Sequence, residues 1–145
     1  MTSSPGDPAI VADIEVVVRD FRSRESGHSL FSWTLEEGVL PHLGLSEREL
    51  PLGPHIVIFS VVEPMSQSRG CQVFVDQPSA QRRYFLADVA QDVVAKATSE
   101  PLPVCPLHAF QMSAVLVEER AVWRCSDHSH LECDIGTYWE WRDRS

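Results

Sequence analysis

Apolar residues recur at positions 10, 14, 17 and 21, with Val11 and Val18 beside them, and this spacing predicts a helix over residues 9–24. Asp7-Pro8 is a good start signal for it, an acidic N-cap followed by proline in the first turn. Asp13, Glu15, Arg19 and Asp20 are read as falling largely off the apolar face, and Gly27 as the end of the helix. A cleaner helical pattern covers residues 85–97. Leu86, Val89, Ala90, Val93, Val94 and Ala97 form one stripe, and Asp88, Gln91, Asp92 and Lys96 lie opposite.

Between the two helices the period changes. Residues 29–35 read as a strand, and the β-branched and aromatic run 55–63 as a buried one. Residues 72–76 read as its hairpin partner across a polar loop at 64–70. Residues 36–54 carry repeated Gly and Pro and read as a long connection with one helical turn at 46–49. Beyond the proline-rich joint 101–106, short strands are expected at 113–118 and 120–124, and a last one at 132–139. The turn between the first two lacks the Gly or Asn that tight hairpins favour. In the last strand Trp139 and Trp141 would share one face, available to a partner, while Trp123 belongs in the core.

The expected fold is therefore α+β: two amphipathic helices, a small antiparallel sheet and a C-terminal zinc-ribbon-like β-hairpin. Residues 1–7 read as a disordered leader, 8–100 as an α+β domain, and 101–145 as the zinc-ribbon-like segment packed on or next to it. The βαβ rhythm of a doubly wound sheet is absent.

Composition narrows the function classes. With 145 residues and 43% hydrophobic content, the chain is long enough to bury a core without cross-links. No apolar run approaches the roughly 18 residues of a membrane span, and no basic-then-apolar start suggests secretion, so a cytoplasmic location is expected. The net charge of −9 is spread along the chain. It argues against general nucleic-acid binding and against an anionic membrane surface, and suits a protein partner or a second copy of the chain. Eleven Arg against the single Lys96 suggest a GC-rich, bacterial coding sequence.

The chemistry concentrates at the C-terminal end. Three of the four cysteines lie there, in the pattern Cys105-Pro-Leu-His108, sixteen residues, then Cys125-Ser-Asp-His128-Ser-His130-Leu-Glu-Cys133. A Cys and a His separated by two residues can grip one side of a metal ion from a single turn. Two such pairs supply the four tetrahedral ligands of structural zinc. Cys105, His108, Cys125 and His128 are the expected ligands, with Cys133 or His130 as alternatives for the fourth. The sixteen intervening residues suffice for one hairpin, which the ion would clamp at its base.

Other arrangements fail on order. A Rieske iron–sulfur site needs a Cys-x-His pair upstream of Cys105, and none exists. His130-Leu-Glu132 resembles the zinc deaminase His-x-Glu, but that family's Cys-x-x-Cys is missing. Cys71 follows Arg69-Gly70, and His55 is the one base a hairpin would bring near, so a structural cysteine is the simpler reading. No catalytic residue is expected. The leading expectation is a non-catalytic interaction or assembly module stabilised by structural zinc. The alternative is a small hydrolase-like enzyme with an open zinc position and Asp127 or Glu132 as base.

Overall fold

A computed structural model describes residues 7–23, 25–40, 52–99, 102–127 and 131–144. The elements run α1 (Pro8–Val18), β1 (Ser32–Glu37), β2 (Pro54–Val61), β3 (Gln67–Phe74), α2 (Ser79–Thr98), β4 (Met112–Val117), β5 (Arg120–Cys125), β6 (Glu132–Asp134) and α3 (Tyr138–Asp143). The fold is mixed α+β, and among the described residues it has two three-stranded antiparallel sheets, ordered β1-β2-β3 and β4-β5-β6. Helix α2 packs against both sheets and against α1. Its buried face carries Leu86, Ala87, Ala90, Val93, Val94 and Ala97. The alanines let strands approach the helix axis closely, and one core joins Ile10, Ile14 and Val17 of α1 to Cys105, Trp123 and Tyr138. Among the described residues no helix is long and apolar enough to cross a membrane.

Asp7 caps α1 as its residue type predicts, accepting from the Ala9 and Ile10 amides at 2.8 and 3.4 Å. The helix stops at Val18, short of the expected 24, because the chain turns back to bridge Arg22 with Ser29. Asp13 and Asp20 are not on the solvent side: each is only 1% exposed. Asp13 accepts from Arg82 Nε, Arg83 Nε and Ser79 Oγ at 2.6, 2.8 and 2.5 Å. Asp20 accepts from Trp123 Nε1, the Gly136 amide and the Tyr138 amide at 2.7, 2.5 and 3.1 Å. Gly136 is needed at that crossing. Its φ is +100°, and a Cβ there would stand 2.5 Å from Val16 Cγ1.

Strand β3 begins at Gln67, inside the expected polar loop, so the β2–β3 connection is only residues 62–66. The start of β3 is polar because it faces out: Ser68 and Arg69 are exposed, and burial begins at Cys71. Helix α2 starts six residues before the expected 85. The last expected strand is cut short. After Asp134 the chain turns and forms α3, so Trp139 and Trp141 do not share a strand face. Trp139 is buried and Trp141 partly buried. Of the expected leader 1–7, residues 1–6 lie outside the described residues, as does the expected turn at 46–49, while Asp7 is ordered as the cap of α1.

The β4–β5 hairpin closes through Glu118-Glu119 despite the missing Gly. Glu118 takes φ +57° while Glu119 does not share a positive φ, the pattern of a turn that favours Gly at its first position. Glu118→Gly is therefore expected to stabilise the fold by about 0.5–1 kcal/mol. A rise in the urea midpoint at unchanged slope is the check, and no rise would contradict it.

Candidate metal centre

The segment around Cys105 is a tight loop held on both flanks. Val104 bridges Gln111, and the Met112 amide donates to Pro103 O at 2.8 Å. Within the loop the Cys105 amide donates to Phe110 O, and the Ala109 amide returns to Cys105 O, both at 2.9 Å. Ala109 adopts φ +59°. This reversal folds the side chain of His108 back over Cys105. From α2, Gln91 Nε2 donates to Leu102 O at 3.2 Å and to Met112 O at 2.6 Å. One amide thus ties both sides of the loop to the helix.

Cys125 is the last residue of β5 and lies opposite Met112, which brings it to the same loop. Its amide donates to Leu131 O at 2.9 Å. Cys105 and Cys125 are 0% and 1% exposed, and His108 is partly buried. His108 Nδ1 lies 3.3 Å from Cys105 Sγ and 3.4 Å from Cys125 Sγ. All three donor atoms fall within 4.8 Å of one another. Ligands of a tetrahedral zinc ion, at the usual bond lengths, stand about 3.6 Å apart for S and N and about 3.8 Å for S and S. The Cys105–His108–Cys125 group can therefore hold a metal ion.

His128 and His130 lie outside the described residues. Cys133 stands apart from the group, opposite Trp123 in β6. Its thiol is pushed up to about 12 by burial, and by the nearby Asp20 carboxylate. Glu132 is engaged at 2.9 Å by Arg124 on the strand beside it, and Asp127 is exposed. Neither belongs to the group. Cys71 is buried on β3, its thiol also pushed up to about 12 by burial and then by Asp88. His55, the base considered for it, pairs with Val73 and is hydrogen-bonded through Nδ1 to Gly53 O at 2.9 Å. Cys71 packs within the hydrophobic core and is 4% exposed.

Sequence reasoning missed the polar groups that brace the loop. The helical pattern places Gln91 on the solvent side, and the strand pattern of residues 132–139 includes Tyr138. Tyr138 is fully buried, and its hydroxyl meets the backbone of Val104. No local signal marks either residue, since both bond to backbone atoms distant in sequence. Comparison with protein-family models, with curated proteins and with solved structures finds no match to this chain.

Proposed function

We propose that the chain binds one zinc ion through Cys105, His108 and Cys125, and that the ion staples a zinc-ribbon-like hairpin in a non-catalytic interaction or assembly module. The observation that carries the reading is the placement of one imidazole nitrogen within 3.4 Å of two thiols. A hydrogen bond at Nδ1 satisfies one sulfur at a time, whereas a shared cation satisfies all three donors together. Two thiolates and an imidazole suit zinc better than calcium or magnesium, which prefer oxygen. His128 is the proposed fourth ligand, with His130 as its substitute. The interaction role draws on Leu107 and Phe110, which flank His108 and are 70% and 54% exposed. Apolar side chains displayed at the tip of a braced loop are suited to a protein partner. The net charge of −9 favours a basic one.

Tag-free protein should carry about one zinc per chain by elemental analysis, and a chelator should lower its melting temperature. Protein that purifies without metal and melts identically with and without chelator would sink the proposal. X-ray absorption then separates the roles: four protein donors fit a staple, whereas three donors and a water favour a small metal-dependent enzyme. For the interaction role, a photocrosslinker at Leu107 should capture protein in cells, and one at exposed Leu52 should not. Equal capture at both sites would count against it.

A further inference from the structure

Val104 immediately precedes the first cysteine of the group, and both of its backbone polar groups end on one side chain. Its amide donates to Tyr138 Oη at 3.1 Å, and the Tyr138 hydroxyl donates back to Val104 O at 2.8 Å. Tyr138 opens α3 and is 0% exposed. Its ring packs at 5.0 Å from that of Trp139 and at 6.4 Å from that of Trp141. Its amide donates to Asp20 Oδ1, the carboxylate that also receives Gly136 and Trp123. A continuous path therefore runs from the end of α1, through the first residue of α3, to the residue before Cys105. Burial pushes the phenol up from its ordinary value, so it keeps its proton, and its donor role, across the neutral range.

From this path we infer that Tyr138 is the positioning residue of the metal loop, and that metal binding is thereby coupled to the docking of the C-terminal helix α3. The inference rests on the metal reading above. A loop that presents ligands from a tight reversal must hold its backbone against rotation. Gln91 holds its two flanks, while Tyr138 holds the residue next to the ligand itself. Groups hydrogen-bonded to a metal ligand commonly change affinity by 10–100-fold when removed, and Tyr138 acts one residue further out, through Val104, so its effect belongs at the lower end of that range. Coupling is reciprocal, so an ion that fixes Val104 also stabilises the helix that grips it.

The test compares the full-length wild-type chain with Tyr138→Phe, which keeps the ring and loses both hydrogen bonds. Each is stripped of metal and titrated with cobalt(II), whose visible absorption reports tetrahedral thiolate coordination. Tyr138→Phe is expected to bind about tenfold more weakly. In wild type, metal should slow amide exchange at Gly136 and Tyr138 more than in β2, and in the variant that excess should vanish. A purely structural tyrosine would lower the melting temperature of the metal-free protein and leave cobalt affinity unchanged, and that result overturns the inference. Wild type that takes up no cobalt overturns the metal reading and this inference together. Wild type and variant that bind equally overturn only this one. Should the variant fail to fold, the exchange measurement on wild type alone decides: equal slowing in β2 and at 136–138 refutes the coupling.

Discussion

Asp20→Ala is expected to cost at least about 3 kcal/mol of stability, since it strips the acceptor from three buried N–H groups at roughly 1–3 kcal/mol each. Those donors are the Trp123 indole, the Gly136 amide and the Tyr138 amide. They come from β5, the β6–α3 turn and α3, so one carboxylate holds three C-terminal segments against the end of α1. The charge itself is expensive. Burial, partly offset by these donors, pushes Asp20 from 3.8 up to about 6. Between those two values the native state keeps a proton that the unfolded chain has released. Stability from this group therefore declines as pH rises, most steeply from about 4 to about 6, by about 3 kcal/mol in all from well below that window to well above it. Most carboxylates behave in the opposite sense, so the total pH profile would hide the effect. Asp20→Asn isolates it, because the amide does not titrate. The stability of wild type minus that of Asp20→Asn, from urea unfolding, should fall by about 2.5 kcal/mol between pH 4 and pH 7. A difference that stays constant would show that Asp20 ionises alike in the folded and unfolded chain.

Asp13→Ala should cost about 3–5 kcal/mol, the usual penalty for orphaning a buried charge. Arg82 is the charge left behind. Its side chain is 6% exposed, its Nε rests on Asp13, and its Nη1 donates to Phe74 O, Val75 O and Gln77 O. Those carbonyls hold the guanidinium in place, so it cannot swing out to water without unravelling the β3–α2 connection. The variant then has to bury an uncompensated cation or break that turn. Arg83 is 37% exposed and can rehydrate, so Arg83→Ala should cost about 1 kcal/mol or less. Asp13→Leu combined with Arg82→Met should recover part of the single-variant loss, because an apolar pair needs no counter-charge. Equilibrium unfolding of the three variants checks the order. A cost below about 1 kcal/mol for Asp13→Ala would mean that Arg82 finds another partner, and would remove the pair from the account of how α1 docks.

The residues that mark elements locally did their work in the sequence. Asp7-Pro8 starts α1, the stripe from Leu86 to Ala97 marks α2, and the β-branched run after Pro54 makes β2. The Cys-x-x-His spacing and an expected strand over 120–124, which ends beside Cys125, pointed to the grouping of Cys105, His108 and Cys125. Trp123 went to the core for the same reason, since an aromatic in a short strand has little else to cover it. Periodicity could even have flagged Asp13, which shares the helical stripe of Ile10, Ile14 and Val17. What it could not give was the counter-charge. Arg82 lies 69 residues on, and a buried charge is tolerable only where its partner is. The tertiary structure alone decided α3 as well. Its aromatic run has strand propensity, yet the Tyr138 amide is taken by Asp20, 118 residues away, and the Trp141 amide turns back to Thr137 O. Those bonds leave no free ladder for a longer β6. The sequence by itself determined that Cys105, His108 and Cys125 can gather at the candidate metal centre. The tertiary structure determined what braces it, because the braces are hydrogen bonds from Tyr138 and Gln91 to backbone atoms, and such partners leave no pattern in a sequence.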